Sequence, residues 1–309
     1  MPIKFSTFDD GFNNHLVELK RILPPSGKSE EDVQARIVHM ATSGAGISKF
    51  DIERLFGSSD LLRFNYLQRG IIAGKPVARI RVNAPFGAGG SWGTGFLITP
   101  RLLITNNHVI KSPDEAMLAT IEFDYQTDLD DRLQPGKSFR LRPDLAFMTD
   151  DESALDYTIV AIEEVSIDHS ARSADYGFIR LIKDTHKVDT LEYVSIIQHP
   201  NGEEKCIAIR ENKVIKIGDE LGGTKDNFIW YVCDTALGSS GAPVFNDQWQ
   251  LVALHHRSVA NTKEENGNLK IQLKDGTWIE EVDARANEER IEFIANEGEN
   301  ANERTRNQA

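Results

Sequence analysis

The sequence predicts a mainly β protein of antiparallel strands, arranged as barrels or a sandwich, with a small helical unit in front. Three observations carry this. From Pro76 onward, short runs rich in Val, Ile, Phe and Tyr recur at roughly 8–12-residue spacing between Gly, Pro, Asn and Asp clusters. No long helical pattern separates them, which disfavours βαβ units and a parallel sheet. Helical periodicity is concentrated ahead of the first of these runs.

The helical unit comes first. Between Asn13 and Leu23 the apolar residues Leu16, Leu19, Ile22 and Leu23 keep an i, i+3 rhythm that Pro24-Pro25 stops. Ser29-Glu30-Glu31-Asp32 opens a second helix with Val33, Ile37 and Met40 on one side, closed by Gly44 and Gly46. A third, from Ile52 to Phe56, has Asp51 and Glu53 at its start, where the helix dipole favours negative charge. Residues 1–63 thus read as a helical extension or an adaptor domain, a natural docking point for a regulatory protein. The strands follow: Val77–Val82, Gly95–Ile98, Leu102–Thr105, Ile121–Tyr125, Tyr157–Ile162 and Val194–Gln198, then Ile207–Ile209, Val214–Ile217, Phe228–Cys233, Ala242–Phe245 and Leu251–His255. Residues 278–309 are rich in Glu, Asp, Arg, Asn and Ala, with Ile291, Phe293 and Ile294 as a thin apolar patch. A charged tail, helical or disordered, is expected there.

Composition excludes several classes of function. The chain has 309 residues, 40% hydrophobic and 27% charged, which is ordinary globular usage. No stretch approaches the ~20 apolar residues of a membrane helix, and the N-terminus has no basic and apolar leader. Forty-eight acidic against 35 basic residues give a net charge of −13, which argues against nucleic acid or an anionic membrane as partner. Cys206 and Cys233 are too few for a disulfide framework and are expected to be buried free thiols in a reducing cytoplasm.

Three segments of the β region carry chemistry. GTGFLITPRLLITNNHVI leads through two strands to His108, ALDYTIVAIE sets Asp156 before an apolar strand, and DTALGSSGAPVF presents Ser240 on a Gly-rich turn. Acyl transfer by a serine needs a base at the hydroxyl, a carboxylate that fixes the tautomer of that base, and N–H donors for the oxyanion. Ser240 fits the nucleophile, His108 the general base and then acid, and Asp156 the orienting carboxylate. The backbone N–H groups of Gly238 and Ser240 fit the oxyanion hole. Asp144 competes for the acid role, but its Arg-Pro-Asp context reads as a turn, and Asp156 precedes the better strand. The order His, Asp, Ser, with a strand after the serine, excludes an α/β-hydrolase, which runs Ser, Asp, His and follows its nucleophile with a helix.

The stretch from Phe64 to Thr277 resembles trypsin-like serine peptidases of the bacterial kind, similar to glutamyl endopeptidases and periplasmic stress proteases. The matching strings are Gly93-Thr94-Gly95-Phe96, Thr105-Asn106-Asn107-His108-Val109, Asp156-Tyr157-Thr158 and Gly238-Ser239-Ser240-Gly241-Ala242-Pro243-Val244. Gln198-His199-Pro200-Asn201-Gly202 and Ala253-Leu254-His255-His256 are similar to cytosolic bacterial members. The resemblance implies two antiparallel β-barrels of the chymotrypsin-like fold over 64–277, with the active site in the cleft between them. It implies a serine endopeptidase acting on protein or peptide without a cofactor. It also implies an S1 pocket in which Thr235 and His255, five residues before the serine and fifteen after it, meet an acidic P1 side chain as in glutamyl endopeptidases. In trypsin-like zymogens a new N-terminal amine pairs with an aspartate just before the serine. Ser239 stands there and makes no such pair, so ordering of the oxyanion loop is expected without it.

Other readings are weaker. A protease-fold peptide-binding or scaffold protein without activity has no need of Ser, His, Asp and the oxyanion glycine together. No metal is expected: neighbours on a strand face opposite ways, so His255 and His256 cannot chelate one ion. The cluster Asp124, Asp128, Asp130 and Asp131 lacks the glycine and terminal glutamate of a calcium loop.

Overall fold

The computed structural model describes residues 30–42, 49–55, 61–83, 89–183, 186–209, 212–217, 228–233, 237–259 and 273–278. Within these, the strands form two seven-stranded antiparallel sheets. The first contains β1 (Val77–Asn83), β2 (Gly90–Thr99), β3 (Leu102–Thr105), β4 (Ala119–Phe123), β5 (Lys137–Arg140), β6 (Phe147–Asp150) and β7 (Tyr157–Ala161), in the order β5-β4-β1-β2-β3-β7-β6. The second contains β8 (Ser195–Gln198), β9 (Cys206–Ala208), β10 (Val214–Ile217), β11 (Phe228–Val232), β12 (Pro243–Phe245), β13 (Leu251–Val259) and β14 (Leu273–Trp278), in the order β10-β11-β14-β13-β12-β8-β9.

Each sheet curls back on itself without a continuous closing ladder. Past β5 and β7 an isolated bridge joins Leu141 to Ile162, and the Glu163 N–H donates to the Arg140 carbonyl at 2.9 Å. Before β8 and β10 a second bridge joins Tyr193 to Lys213. The two barrels expected from the sequence are therefore two curled sheets, consistent with the chymotrypsin-like arrangement.

Burial explains why several strands read as unbroken apolar runs. Leu103, Val160 and Leu97 point into the first sheet's own core, while Leu102, Ile104, Ile159 and Phe96 point the other way. That other face packs on Ile197, Phe245, Leu251 and Leu254 of the second sheet. Strands covered on both faces need no polar alternation. A third core, with Ile196, Val214, Tyr231, Val244 and Val252, fills the second sheet. The contact between the two curled sheets is thus a core in its own right, and it fixes their relative position.

Helix α1 (Glu30–Thr42) buries Val33, Ile37 and Met40 as the periodicity requires, and α2 (Lys49–Leu55) buries Ile52 and Leu55. Both reach the turn between β12 and β13. Arg36, 1% exposed, donates to Glu192 at 3.0 Å and to Gln248 Oε1 at 2.9 Å, and His39 Nε2 lies 3.0 Å from Gln250 Oε1. Arg54 pairs with Asp247 at 3.0 Å. Truncating one partner of a buried ion pair leaves the other uncompensated, so Arg36→Ala is expected to cost ~3 kcal/mol. A fall in the urea midpoint checks it, and an unchanged midpoint contradicts this docking.

Some elements were not foreseen. Helix α3 (Asn65–Gly74) precedes β1, anchored by Trp249 Nε1 donating to the Tyr66 carbonyl at 2.9 Å. Helix α4 (Pro113–Leu118) is one short turn capped by Ser112 Oγ, which accepts from the Glu115 N–H at 3.2 Å. Strand β14 extends to Trp278, the first residue of the expected tail. Cys206 corrects the expectation of two buried thiols: it is exposed, because β9 is the edge of the second sheet, whereas Cys233 is buried. The expected helix over Asn13–Leu23, and the tail beyond Trp278, lie outside the described residues.

Candidate active site

His108 stands on the turn that follows β3. The Asn106 carbonyl accepts from the Val109 and Ile110 N–H groups, each at 3.2 Å, closing that turn. Asn106 Nδ2 donates to the Asp156 carbonyl at 2.8 Å, which ties the turn to the residue before β7. Asp156 has φ +53°, a left-handed conformation that a short polar side chain tolerates. Its carboxylate divides its work. Oδ1 accepts the His108 backbone N–H at 2.9 Å, and Oδ2 lies 2.6 Å from His108 Nδ1. Burial pushes the Asp156 carboxyl up, but hydrogen bonds from His108 and His256, and their charge, outweigh it and hold it below the usual carboxylate range. An ionised carboxylate only accepts, so the Nδ1–H of His108 is the donor in this bond and Nε2 lies on the far side of the ring.

Ser240 comes from the second sheet, on the loop before β12. Gly238 has φ +90° and Gly241 φ +85°, which side chains resist. A Cβ on Gly238 would come within 2.8 Å of the His199 carbonyl, and one on Gly241 would overlap the Thr94 carbonyl. Thr94 of β2, in the first sheet, holds the loop. Its Oγ1 donates to the Gly238 carbonyl at 2.8 Å and its N–H to the Ser240 carbonyl at 2.8 Å. Its Oγ1 also accepts the His199 N–H at 3.0 Å, so the Gln198–Gly202 turn backs the same loop. Among the described residues, the Gly238 and Ser240 N–H groups make no bond to another backbone group. Ser240 Oγ donates to the His256 carbonyl at 3.2 Å and is not bonded to His108 in this arrangement.

Residues 93–254, a span that holds Thr94, His108, Asp156, Gly238 and Ser240, match the family described as the trypsin-like peptidase domain. The chain belongs to that family. It is 47% identical over 265 residues to the uncharacterized protein y4fB of Sinorhizobium fredii, covering 85% of this chain and 40% of that one. It is 31% identical over 172 residues to secreted RxLR effector protein 73 of Plasmopara viticola, covering 53% of this chain and 40% of that one. The chain therefore spans 40% of the length of these relatives. Among solved structures it is similar to the active form of the Rv3671c protease of M. tuberculosis, at 17% identity and a TM-score of 0.47, over 73% of this chain and 86% of that one. No helix among the described residues is long and apolar enough to cross a membrane.

The peptidase domain brings His108 and Asp156 together and sets Ser240 and Gly238 on one loop. Asp144, the competing carboxylate, is exposed and pairs with Arg142 at 2.7 Å, away from His108. Thr235 lies outside the described residues. His255 is 2% exposed, with Nδ1 2.6 Å from the Tyr231 hydroxyl. The residue that sequence reasoning missed is His256, whose Nδ1 bonds Asp156 Oδ2. The two-residue strand period gives no signal for it, because β13 shifts register between His255 and Arg257. His108, Asp156 and His256 offer ligand atoms within 4.8 Å of one another. Tetrahedral zinc at ~2.0–2.2 Å from each would hold them on the order of 3.4 Å apart, so the 2.6 Å separation of His108 from Asp156 is that of a hydrogen bond.

His199, which backs the Ser240 loop, gives a pH prediction. It is fully buried, its Nδ1 lies 3.0 Å from the Glu203 carbonyl, and burial pushes its pKa down to about 3. The unfolded chain takes up this proton near ~6.5, so between there and about 3 the unfolded state binds more protons and stability falls with falling pH. The urea midpoint is expected to drop from pH 6.5 to 4, and more steeply than in His199→Asn. Equal slopes would contradict it.

Proposed function

We propose that this trypsin-like peptidase domain is a serine endopeptidase whose nucleophile is Ser240. The observation that carries the reading is the buried, ionised Asp156 bonded to both the ring and the backbone N–H of His108, beside a serine on a loop whose two glycines take positive φ. In the reaction, Ser240 Oγ exchanges its bond to the His256 carbonyl for one to His108 Nε2. It attacks the scissile carbonyl carbon as its proton passes to Nε2, and Asp156 stabilises the imidazolium. The oxyanion takes the Gly238 and Ser240 N–H groups. His108 then protonates the leaving amine, and water, activated by the same base, hydrolyses the acyl-enzyme. Thr94, in place of an ion pair at Ser239, supports the loop, so the reading requires no newly cut N-terminus.

The reading extends to an acidic P1 residue. A threonine hydroxyl and an imidazole N–H both donate to a carboxylate, and the Tyr231 hydroxyl orients the His255 ring. His256-Arg257 follows His255 where glutamyl endopeptidases carry glycines, so the pocket wall has its own shape. A second reading, peptide binding without cleavage, draws on the Ser240 bond to the His256 carbonyl. A peptide library read by mass spectrometry separates them. The proposal expects cleavage after Glu or Asp that collapses in His255→Ala. Cleavage after apolar or basic residues, unchanged in that variant, would overturn the P1 preference; binding with no cleavage would favour the second reading.

A further inference from the structure

We infer that the outer face of the first sheet carries a binding groove for an acidic segment of the protein substrate, built on Arg81, Arg140 and Trp92. The inference rests on the serine-peptidase reading for its substrate and adds a site outside the groups around Ser240. The groove, of about 330 Å³, is lined by Arg79, Arg81, Asn83, Trp92, Thr120 and Ser138. Register places Arg140 on the same face: Arg81 of β1 pairs with Thr120 of β4, which pairs with Arg140 of β5. The alternate residues Ile80, Ile121 and Phe139 are buried in the core of this sheet, so these three point outward. Trp92 stands opposite Arg81 on β2. Its ring centre lies 5.3 Å from the Arg81 guanidinium and 4.6 Å from that of Arg79.

The charge balance of this face is the reverse of the whole chain's. Acidic residues outnumber basic ones by 48 to 35 overall, yet the lining of the groove holds one carboxylate, Glu122. That carboxylate is taken by Arg79, which also donates to the Gly202 carbonyl at 2.6 Å and lies 3.4 Å over the Tyr125 ring. Arg81 and Arg140 are exposed and pair with no carboxylate among the described residues. Like charges on one sheet face repel, and an anion laid between them removes the repulsion. The Thr120 and Ser138 hydroxyls offer it further donors. The groove also adjoins the catalytic loop. Thr94, which holds that loop, stands two residues beyond Trp92 on β2, about 7 Å along the strand. Gly202, in the turn that backs the loop, lies so close to Trp92 that a Cβ there would overlap the ring. A polypeptide held at Ser240 therefore needs only a few residues to reach this face. Arg81 and Arg140 are two strands and roughly 10 Å apart, which three or four extended residues span. Three guanidiniums on an acidic protein suit such a peptide better than a nucleic acid, whose binding draws on many phosphate contacts.

The test uses the full chain and peptides that share one cleavage sequence. Each carries a Glu-rich or a Gly-Ser tail of equal length, at one end or the other. At one of the two ends the Glu tail is expected to raise kcat/KM at the shared bond roughly tenfold, mainly through KM. The gain should shrink to about twofold near ~1 M salt, where charges are screened within about 3 Å. Arg81→Glu and Arg140→Glu should each cut the gain to about twofold. Arg180→Glu, the same charge reversal at an exposed site beside Leu97 of β2, should keep it. In Ser240→Ala, fluorescence anisotropy of a labelled Glu-rich peptide should show binding that Arg81→Glu weakens. No gain at either end, an equal loss in Arg180→Glu, or tighter binding of a single-stranded oligonucleotide of equal charge would each overturn the proposal. If the Gly-Ser peptides are cleaved by the wild type and not by Ser240→Ala, such a failure is of this inference alone. Peptides left intact by the wild type would overturn the serine-peptidase reading, and this proposal with it.

Discussion

Ser240→Ala is expected to lower kcat by roughly 10⁴–10⁶, and His108→Ala by a similar factor, because in the proposed function nucleophile and base act as one unit. The double variant should lose little more than either alone, since removing the base from an enzyme without its nucleophile takes away nothing further. Folding should be unaffected in Ser240→Ala, whose Oγ makes one hydrogen bond, to the His256 carbonyl. Matched circular dichroism spectra and steady-state hydrolysis of a library-selected peptide check this. Substantial activity in purified Ser240→Ala would remove that residue from the nucleophile's role.

Asp156→Asn is expected to lose roughly 10⁴ in kcat by a different route. The carboxylate only accepts, and it meets the His108 backbone N–H and the Nδ1 atoms of His108 and His256. An amide has one acceptor oxygen and one donor nitrogen. Turned toward His108, its N–H demands a lone pair on Nδ1, which moves the proton to Nε2 and removes the base from Ser240. Asp144→Asn is the control. Asp144 is exposed and engages Arg142, so its loss should leave activity within about twofold and folding intact. A damaging Asp144→Asn beside a harmless Asp156→Asn would mean that the orienting carboxylate has been misassigned.

Much of this was legible before any coordinates. Strands such as Leu102–Thr105 and Val214–Ile217 have the bounds that their apolar runs suggest, because β-branched and large apolar residues favour the extended backbone. The helix with Val33, Ile37 and Met40 inward was equally plain. Strands β5 and β6, KSFR and FMTD, were hidden because each is four residues long with one or two apolar side chains. Helix α3 was hidden for the opposite reason. It leaves Leu67, Ile71 and Ile72 exposed, so its apolar residues do not mark its buried side. Gly238, His108 and Asp156 could be named from short strings whose residue types follow from the chemistry. His256 could not, because its role depends on a contact between two sheets 100 positions apart in the chain, which no local pattern encodes.

The central claim is that Ser240 is a nucleophile activated by His108. Stoichiometric labelling with a fluorophosphonate tests it most directly, because the reagent forms a phosphorus–oxygen bond only at an activated hydroxyl, with fluoride leaving and the hydroxyl proton passing to the base. Mass spectrometry of the digested protein should place a single adduct on Ser240 in the wild type and none in His108→Ala. No adduct in the folded wild-type protein, or an adduct on another residue with Ser240 unmodified, would contradict the account.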